Sequence, residues 1–526
     1  MLENFPFYLG LLIIILMLIM LANKIKVAYP ILLVLAGLII SFIPGVPIIN
    51  IQPELIFFIF LPPLLYEAAW KVSWKEMWRW RRIITSFAFV VVFLSALSVA
   101  LVANYIIPGF SLALGFVLGG IVSPPDAVSA GAILKFVKVP KSISSILEGE
   151  SLLNDASSLI IFRFAMIAVA TEQFIFSKAV SSFSWMIIGG VAIGLFIGWL
   201  FMKAHKYLPT DSNTDIVLTL LTPYIIYLAA EEVHSSGVLA VVSGGLLLSN
   251  NRHRFLASKS RLQGINVWES FCFILNGLVF MLIGLDLPQI TKGLEEANIS
   301  LPTAIGYGIL ITLVLIVSRI LSSYGAAIIT LIARNFITVA DSRNPGIKTP
   351  FILGWTGMRG VVSLAAALSI PVYLNNGNGF PQRNLILFIT FVVILLTLVI
   401  QGLTLPYFIK KLNFSTIDDS LPRDEVYNNI RKELAEYALD YLKTNYNDEV
   451  RNNTSLQHLI LKWEQHSNGI DHESIENNLK TVYLDLLDKQ RQWLINKNKK
   501  DQTLDESIIR RQMHYLDIEE EKLRYI

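Results

Sequence analysis

Most of the chain consists of long apolar stretches separated by short polar segments, as far as Ile409. A helix that crosses a bilayer needs about 20 predominantly apolar residues, and thirteen stretches approach or meet that length. They predict transmembrane helices over Phe5–Ala22, Val27–Ile43, Glu54–Trp70, Ile83–Ile107, Ser111–Phe136, Ser144–Ala170, Phe183–Ala204, Thr214–Ala230, Ser236–Ser249, Val267–Asp286, Thr303–Ile332, Thr349–Tyr373 and Asn384–Ile409. The pattern predicts an all-α polytopic membrane protein.

Residues 412–526 follow a different pattern, in which apolar residues recur at helical spacing within a polar background. The two stripes are Val426, Ile430, Leu434, Tyr437 and Tyr441, then Ile475, Leu479, Val482, Leu486 and Trp493. We therefore predict a membrane domain over residues 1–411 and a helical domain over 412–526. This tail is interpreted as a small helical domain or dimer-contact arm. The alternative, a regulatory module that senses pH or a partner, stays open.

Composition excludes a soluble globular protein, because 54% of the residues are hydrophobic and only 16% are charged, against about 25% in soluble proteins. The one cysteine, Cys272, excludes a disulfide scaffold and cysteine-ligated metal centres. Seven scattered histidines and the lack of a phosphate-loop or nucleotide motif lead us to expect no cofactor and no nucleic-acid partner.

The distribution of charge sets the expected orientation. Residues 1–411 contain 27 Lys and Arg against 18 Asp and Glu, and short cytoplasmic loops concentrate basic residues. With the N-terminus outside, 21 of those 27 fall on the inside. The first stretch lacks a cleavage site, so we interpret it as a retained helix. We expect a multi-pass protein of the cytoplasmic membrane with a cytoplasmic tail.

Six ionisable residues lie deep within predicted spans: Glu67, Asp126, Glu150, Asp155, Arg319 and Arg359. Each costs at least about 3 kcal/mol to insert, so such residues mark ion pathways, proton relays or paired networks. For Arg319 and Arg359, a structural role in neutralising a carboxylate or a helix end is as well supported as a direct role in transport. Asp155 has no Lys or Arg one helical turn away and is the strongest functional candidate.

The sixth span places oxygen ligands on shared helix faces. Ser151 and Asp155 are four residues apart, as are Glu150 and Asn154, so each pair stacks along the helix. Hydroxyl, amide and carboxylate oxygens are hard ligands that suit an alkali cation or a proton.

Two spans contain helix-breaking sequences. Ser123-Pro-Pro-Asp126 removes two N–H groups from the fifth span, and Gly354-Trp-Thr-Gly-Met-Arg-Gly360 weakens the twelfth. These spans are seven helices apart, which predicts two inverted six-helix repeats, spans one to six and eight to thirteen. Broken helices at matching places indicate a transporter binding site; ordinary kinks are the alternative.

The chain resembles the first family of monovalent cation:proton antiporters, which includes NhaP-type bacterial antiporters and sodium/proton exchangers. The matching motifs are Leu61-Pro-Pro-Leu-Leu-Tyr-Glu67, Ser123-Pro-Pro-Asp-Ala-Val128, Leu147-Glu-Gly-Glu-Ser-Leu-Leu-Asn-Asp155 and Gly354-Trp-Thr-Gly-Met-Arg-Gly360. The resemblance implies crossed, unwound fifth and twelfth helices and a homodimer in the lipid bilayer. It does not extend to the tail.

The resemblance also implies roles for single residues. Asp155 would bind the cation or the proton, with Ser151, Glu67 and the backbone carbonyl of Pro125 coordinating Na⁺. Asn154 would support the site, and Glu150 would pair with Arg359. Where the family commonly has Thr-Asp-Pro, this chain has Pro125-Asp126-Ala127. The threonine hydroxyl is missing, and Ser123 and Ser129 are the candidates to replace it.

We therefore expect a secondary transporter, and not an enzyme, that exchanges Na⁺, or Li⁺ or K⁺, for H⁺ by alternating access. Asn154-Asp155 offers one titratable group, which favours electroneutral exchange unless Glu67 also titrates. A cation channel, which would need a continuous pore with a repeated filter, and a K⁺-selective K⁺/H⁺ antiporter are alternatives. An intramembrane hydrolase with Ser151 as nucleophile is disfavoured, because no histidine lies in the core of a predicted span.

Overall fold

The structure, a computed structural model, describes residues 5–44, 57–137, 139–171, 176–296, 299–333, 346–374, 377–412, 423–445, 454–467, 477–500, 512 and 515–520. These ranges are helical, apart from connecting segments and an isolated antiparallel bridge between Tyr373 and Gly379. The chain divides into two compact units, Met1–Thr416 and Ile417–Ile526.

The helices of the first unit follow one another with short connections. In chain order they are α1 Phe5–Ile25, α2 Tyr29–Ser41, α3 Leu61–Lys71, α4 Trp74–Ile106, α5 Leu112–Val122, α6 Ala127–Leu134, α7 Lys141–Thr171, α8 Phe176–Tyr207, α9 Ser212–Glu232, α10 Gly237–Phe255, α11 Ser258–Leu285, α12 Leu287–Glu296, α13 Leu301–Ala333, α14 Lys348–Trp355, α15 Val361–Leu368 and α16 Arg383–Leu412.

Within the described ranges, eight helices are long and apolar enough to cross a membrane, namely α1, α4, α7, α8, α9, α11, α13 and α16. Helices α2 and α5 are shorter apolar helices. Large apolar side chains face outward, as shown by Met17, Met20 and Leu321, which are 65%, 72% and 66% exposed. Because a bilayer solvates an apolar exterior and leaves backbone groups to pair within helices, this is the fold of a helical membrane protein.

The predicted spans and the helices differ in their bounds, and α12, Leu287–Glu296, lies outside every predicted span. Each predicted stretch contains helix, although the start of the third, from Glu54, lies outside the described residues. The fifth and twelfth stretches are each interrupted, so that α5 and α6 come from one and α14 and α15 from the other. Both interruptions were predicted from prolines and glycines.

Helix α4 is 33 residues long and begins before its predicted start. The Ser73 hydroxyl caps it by accepting a hydrogen bond from the Glu76 N–H at 3.5 Å. Its first turns are amphipathic, with Trp74 and Trp78 exposed and the Arg81 guanidinium 4.6 Å from the Trp78 ring centre. A π-helical segment, Ser86–Val91, follows. A second one, Thr397–Gln401, lies within α16, and such segments are frequent at functional sites.

Two glycines let α5 pack closely between α4 and α7. A Cβ on Gly119 would lie 2.4 Å from the Ala96 carbonyl oxygen of α4, and one on Gly120 would lie 2.9 Å from the Phe162 nitrogen of α7. The buried apolar side chains form two clusters. The first includes α1, α2, α5, α13 and α16, whereas the second is built from α3, α9, α10, part of α7 and the middle of α11.

The second unit contains α17 Arg423–Asn445, α18 Thr454–Ser467 and α19 Asn477–Lys500. The predicted stripe on α17 faces outward: Ile430, Leu434 and Tyr437 are 60%, 56% and 70% exposed, while Ala435 and Leu439 are buried. The α19 residue Arg491 donates hydrogen bonds to Asp517 and Glu520, which raise the pKa of its guanidinium.

Candidate functional site

The first helix interruption separates α5 from α6 at Pro124 and Pro125. Neither proline has an N–H to donate, so the helix ends at Val122 and a new one starts after Asp126. The Asp126 carboxylate caps the new helix by accepting hydrogen bonds from the Val128 and Ser129 N–H groups at 3.0 and 3.3 Å. The Ser129 hydroxyl also donates to it at 2.5 Å. Asp126 therefore has a structural task at a helix N-terminus, where negative charge is favourable.

The second interruption, between α14 and α15, is organised by Arg359. This fully buried guanidinium donates from Nε to the Val122 carbonyl at 2.8 Å and from Nη1 to the Gly357 carbonyl. The Arg359 N–H donates to the Thr397 hydroxyl of α16 at 3.2 Å. Arg359 thus binds the carbonyl end of α5 and the non-helical backbone that follows α14.

The two interruptions contact each other directly. The Asp126 N–H donates to the Met358 carbonyl at 2.6 Å. A Cβ on Gly360 would lie only 2.4 Å from Asp126 Oδ2, so a side chain there would displace the carboxylate. Non-helical backbone at this depth is tolerated because it is buried in protein. The result is a polar centre built from two broken helices.

Helix α7 carries the predicted ligand residues to this centre. Asn154 is fully buried and its Nδ2 donates to the Pro125 carbonyl at 3.0 Å, while its Oδ1 has no partner in the described part of the chain. Asp155 is 8% exposed. Among the residues described, none donates a hydrogen bond to its carboxylate and no basic side chain lies within 4 Å. Asp155 is thus a buried carboxylate with no counter-ion among the described residues.

The other acidic candidates do have partners. Glu150 pairs with Arg319 of α13, with Nη2 and Oε2 2.9 Å apart and Nη1 and Oε1 2.8 Å apart. The predicted Glu150–Arg359 pair is therefore wrong: Arg359 binds backbone carbonyls, and Arg319 provides the positive charge for Glu150. A Cβ on Gly357 would lie 2.6 Å from Arg319 Cδ, so both arginines contact the second interruption.

Glu67 lies on α3, one helical turn before the helix ends. It pairs with Lys71 one turn later, and the two line a cavity of about 520 Å³ together with Asp215, Arg252, Arg261 and Trp268. Among the described residues, no hydrogen bond or ion pair joins Glu67 to Asn154 or Pro125. Ser151 is half-buried on α7, one turn before Asp155.

Two contacts at the centre have no clear signal in the sequence. Thr397, which accepts from the Arg359 N–H, lies in the π-helical segment of α16. Ser157 donates to the Ala88 carbonyl in the π-helical segment of α4. Threonine and serine inside apolar helices are common, so only tertiary structure identifies these two. The described residues contain no group of three or more His, Cys, Asp or Glu arranged to hold a metal ion.

Comparison with known proteins places this geometry in context. Residues 11–411 match the family described as sodium/hydrogen exchanger, transmembrane. Proteins from Bacillus pumilus (strain SAFR-032) and Bacillus subtilis (strain 168), each named sodium, potassium, lithium and rubidium/H(+) antiporter, are 32% and 35% identical to the chain over 432 and 388 residues. These matches cover 80% and 72% of this chain, which spans 63% and 57% of the length of the two relatives.

A solved structure shares the fold. The sodium proton antiporter MjNhaP1 from Methanocaldococcus jannaschii superposes with a TM-score of 0.61 at 17% sequence identity. The superposition covers 78% of this chain and 98% of the other.

Proposed function

Because the chain belongs to the sodium/hydrogen exchanger family, we propose that it exchanges a monovalent cation for H⁺ across the cytoplasmic membrane by alternating access. Na⁺ is the proposed cation, with Li⁺ and K⁺ as further candidates. The observation that carries the proposal is the Asp155 carboxylate, which is buried without a hydrogen-bond donor or a basic partner in the described residues. A lone buried charge is unfavourable, so this group requires a cation or a proton.

Competition for one carboxylate gives coupled exchange. Asp155 is neutral when it is protonated and when it holds a monovalent cation, whereas the empty carboxylate is charged and costly to move through a low-dielectric region. Only loaded forms then change sides. The direction of net exchange follows the steeper of the two gradients, without any other energy source.

The residues around Asp155 form the proposed ligand set. The free Asn154 Oδ1 and the Pro125 carbonyl lie at the first interruption, Ser151 stacks one turn before Asp155, and Glu67 stays a predicted ligand. Ser129 donates its hydroxyl to Asp126. Ser123 is buried and its hydroxyl has no partner in the described residues, which favours Ser123 as the replacement for the missing threonine.

The charges support a one-for-one, electroneutral exchange. Asp126 caps a helix N-terminus, Glu150 pairs with Arg319 and Glu67 pairs with Lys71. Of the four acids predicted deep within spans, Asp155 is the one without such a partner among the described residues, so we assign it the exchange of cation and proton. The finer architecture belongs to the same proposal: thirteen spans as two inverted repeats, an outside N-terminus, a cytoplasmic tail over residues 412–526 and a homodimer.

The choice between Na⁺ and K⁺ rests on hard oxygen ligands, which suit either ion. The names of the two Bacillus relatives include both, which keeps a K⁺/H⁺ antiporter as the second candidate. A channel is less consistent with the buried, single carboxylate, because a pore needs a continuous lining of ligands.

The test is cation-induced proton movement in inside-out membrane vesicles, followed with a ΔpH-sensitive dye while Na⁺, Li⁺, K⁺ and choline are added in turn. Asp155→Asn is expected to abolish the signal at every pH. Glu232→Gln, which removes an exposed acid at the end of α9, is the control and should retain it. Exchange by Asp155→Asn at half the wild-type rate would remove Asp155 from the mechanism.

Electroneutrality has its own test. A K⁺/valinomycin potential is imposed across vesicles with equal pH and equal Na⁺ on both sides, and no Na⁺-dependent pH change is expected. A voltage-driven pH change that needs Na⁺ and disappears in Asp155→Asn would show more than one H⁺ per cation.

A further inference from the structure

An ion pair connects α7, the helix of Asp155, to α9. Arg163 Nη2 on α7 donates to Glu231 Oε2 at 2.7 Å. The other carboxylate oxygen of Glu231 accepts a hydrogen bond from the Gly237 N–H at the start of α10, at 3.3 Å. The start of α10 thus fixes the orientation of the Glu231 carboxylate, so that its second oxygen can bind Arg163. The exchange mechanism above assigns no task to either residue.

The pair lies at the opposite end of the helices from the cavity. Asp215, near the start of α9, lines the cavity and is held there by His205 at 2.9 Å and Ser260 at 2.8 Å. Glu231 is at the other end of the same helix, about 24 Å away at roughly 1.5 Å per residue. The membrane unit therefore has an open cavity at one end and a closed polar contact at the other.

Asp155 lies between these two ends. Arg163 follows it by two helical turns on α7, about 12 Å along the axis. Leu159, one turn after Asp155 and one turn before Arg163, is partly buried against both apolar clusters. The line from Asp155 to the ion pair therefore runs along the seam between the clusters, where a path to the second side of the membrane would have to open.

From this geometry we propose that Arg163 and Glu231 form a latch that keeps the site closed on the side away from the cavity. The inference rests on the proposed alternating access, which requires that side to open once per cycle. Opening separates α7 from α9 and α10, so the ion pair breaks. The latch sets the balance between the two access states and contributes no ligand to the transported ion.

The test measures access to the seam and does not depend on transport. Cys272 is the one cysteine, so Cys272→Ala gives a thiol-free background, and Leu159→Cys adds a reporter on the seam. A membrane-impermeant maleimide is applied to intact cells and, separately, to inside-out vesicles. Glu231→Gln is expected to raise the labelling rate about threefold from the side away from the cavity, the size expected for loss of a part-exposed ion pair.

Three variants make the result specific. Arg163→Gln should give the same increase as Glu231→Gln. Arg163→Lys, which retains the positive charge, should stay near the starting rate. Glu232→Gln removes an exposed neighbouring acid and is the matched control, expected to change nothing. Equal labelling in all variants would overturn the latch. A rise from both sides of the membrane would also overturn it, because that indicates general loosening.

Cross-linking tests the consequence for exchange. Arg163→Cys and Glu231→Cys joined by a short, reducible bis-thiosulfonate linker should lose exchange and regain it after reduction. A control link between Trp185→Cys and Val233→Cys joins α8 to the end of α9, where the Trp185 indole donates to the Val233 carbonyl, and should leave exchange unchanged. Undiminished exchange after Arg163→Cys and Glu231→Cys are cross-linked overturns the latch. Absent exchange in the Cys272→Ala background, in which Arg163 and Glu231 are intact, overturns the proposed function instead.

Discussion

Both helix interruptions leave backbone N–H and C=O groups without partners inside a helix, and the two satisfy these groups by different means. The first, at Pro124 and Pro125, is capped by the negative charge of Asp126 at a helix N-terminus. The second has no side-chain cap at Gly360. It instead places the positive charge of Arg359 at the carbonyl end of α5. Each sign lies where the helix dipole favours it. The comparison teaches that the charged side chains of the two interruptions hold backbone groups in place. Asp155, by contrast, has no hydrogen-bond donor and no basic partner among the described residues.

The largest expected effect is the loss of Arg359. Arg359→Gln removes charge-assisted hydrogen bonds to the carbonyls of Val122 and Gly357, each worth about 1.5–3 kcal/mol. We expect about 4 kcal/mol of destabilisation, seen as a lower melting temperature and yield in detergent. Arg254→Gln, on an exposed arginine, is the control. A melting temperature within about 2 °C of wild type would show that the second interruption does not need the positive charge of Arg359.

The next effect tests the corrected ion pair. Glu150→Gln or Arg319→Gln alone strands a buried charge, which costs about 3–5 kcal/mol. The double variant should recover part of that loss, as measured by thermal unfolding in a double-mutant cycle. Pairing Glu150→Gln with Arg359→Gln should recover less, because those two side chains are not in contact. A larger coupling for Glu150 with Arg359 would reinstate the pair that the sequence predicted.

A smaller effect should come from filling the contact between the interruptions. Gly360→Ala places a Cβ 2.4 Å from Asp126 Oδ2, and such overpacking costs about 1–3 kcal/mol. Gly131→Ala is the matched control on α6, since nothing lies within 4 Å of its Cβ position. Equal melting temperatures for the two variants would mean that the crossing is looser than the contact implies.

The smallest expected effect concerns the cap of α6. Ser129→Ala removes the hydroxyl that donates to Asp126 at 2.5 Å, and the expected loss is about 1 kcal/mol. Ser129→Thr retains the hydroxyl and should restore the melting temperature. If the exchange rate or cation preference of Ser129→Ala changes while stability does not, Ser129 acts on the ion and not on the cap.

Sequence reasoning located the interruptions because their cause is local. Proline at 124 and 125 cannot donate a backbone hydrogen bond wherever the chain folds. It also singled out Asp155, because an acid within an apolar stretch is costly to bury and therefore marks a functional or paired site. These inferences depend on a few neighbouring residues.

Pairings across the fold were beyond that reasoning. Glu150 and Arg319 are 169 positions apart, and Arg319 and Arg359 both lie deep in spans, so the sequence offered no way to choose between them. The π-helical segments also have no distinctive composition. On α17 the predicted apolar stripe is exposed, while Ala435 and Leu439 are buried. Periodicity identifies an apolar helix face, but it does not show which face packs against another helix.

The lengths of the helices have a consequence for the surrounding lipid. Helices α4, α7 and α13 contain 33, 31 and 33 residues, about 50 Å each, whereas the hydrocarbon layer is about 30 Å thick. The interrupted helices α5 and α6, with 11 and 8 residues, are each too short to cross it. A thicker bilayer can be accommodated by less tilt of the long helices, but it lengthens the apolar path from either surface to the crossing. Exchange rates in liposomes of graded acyl-chain length should therefore fall as the bilayer thickens. Equal rates at all thicknesses would show that hydrophobic mismatch does not affect access to the crossing.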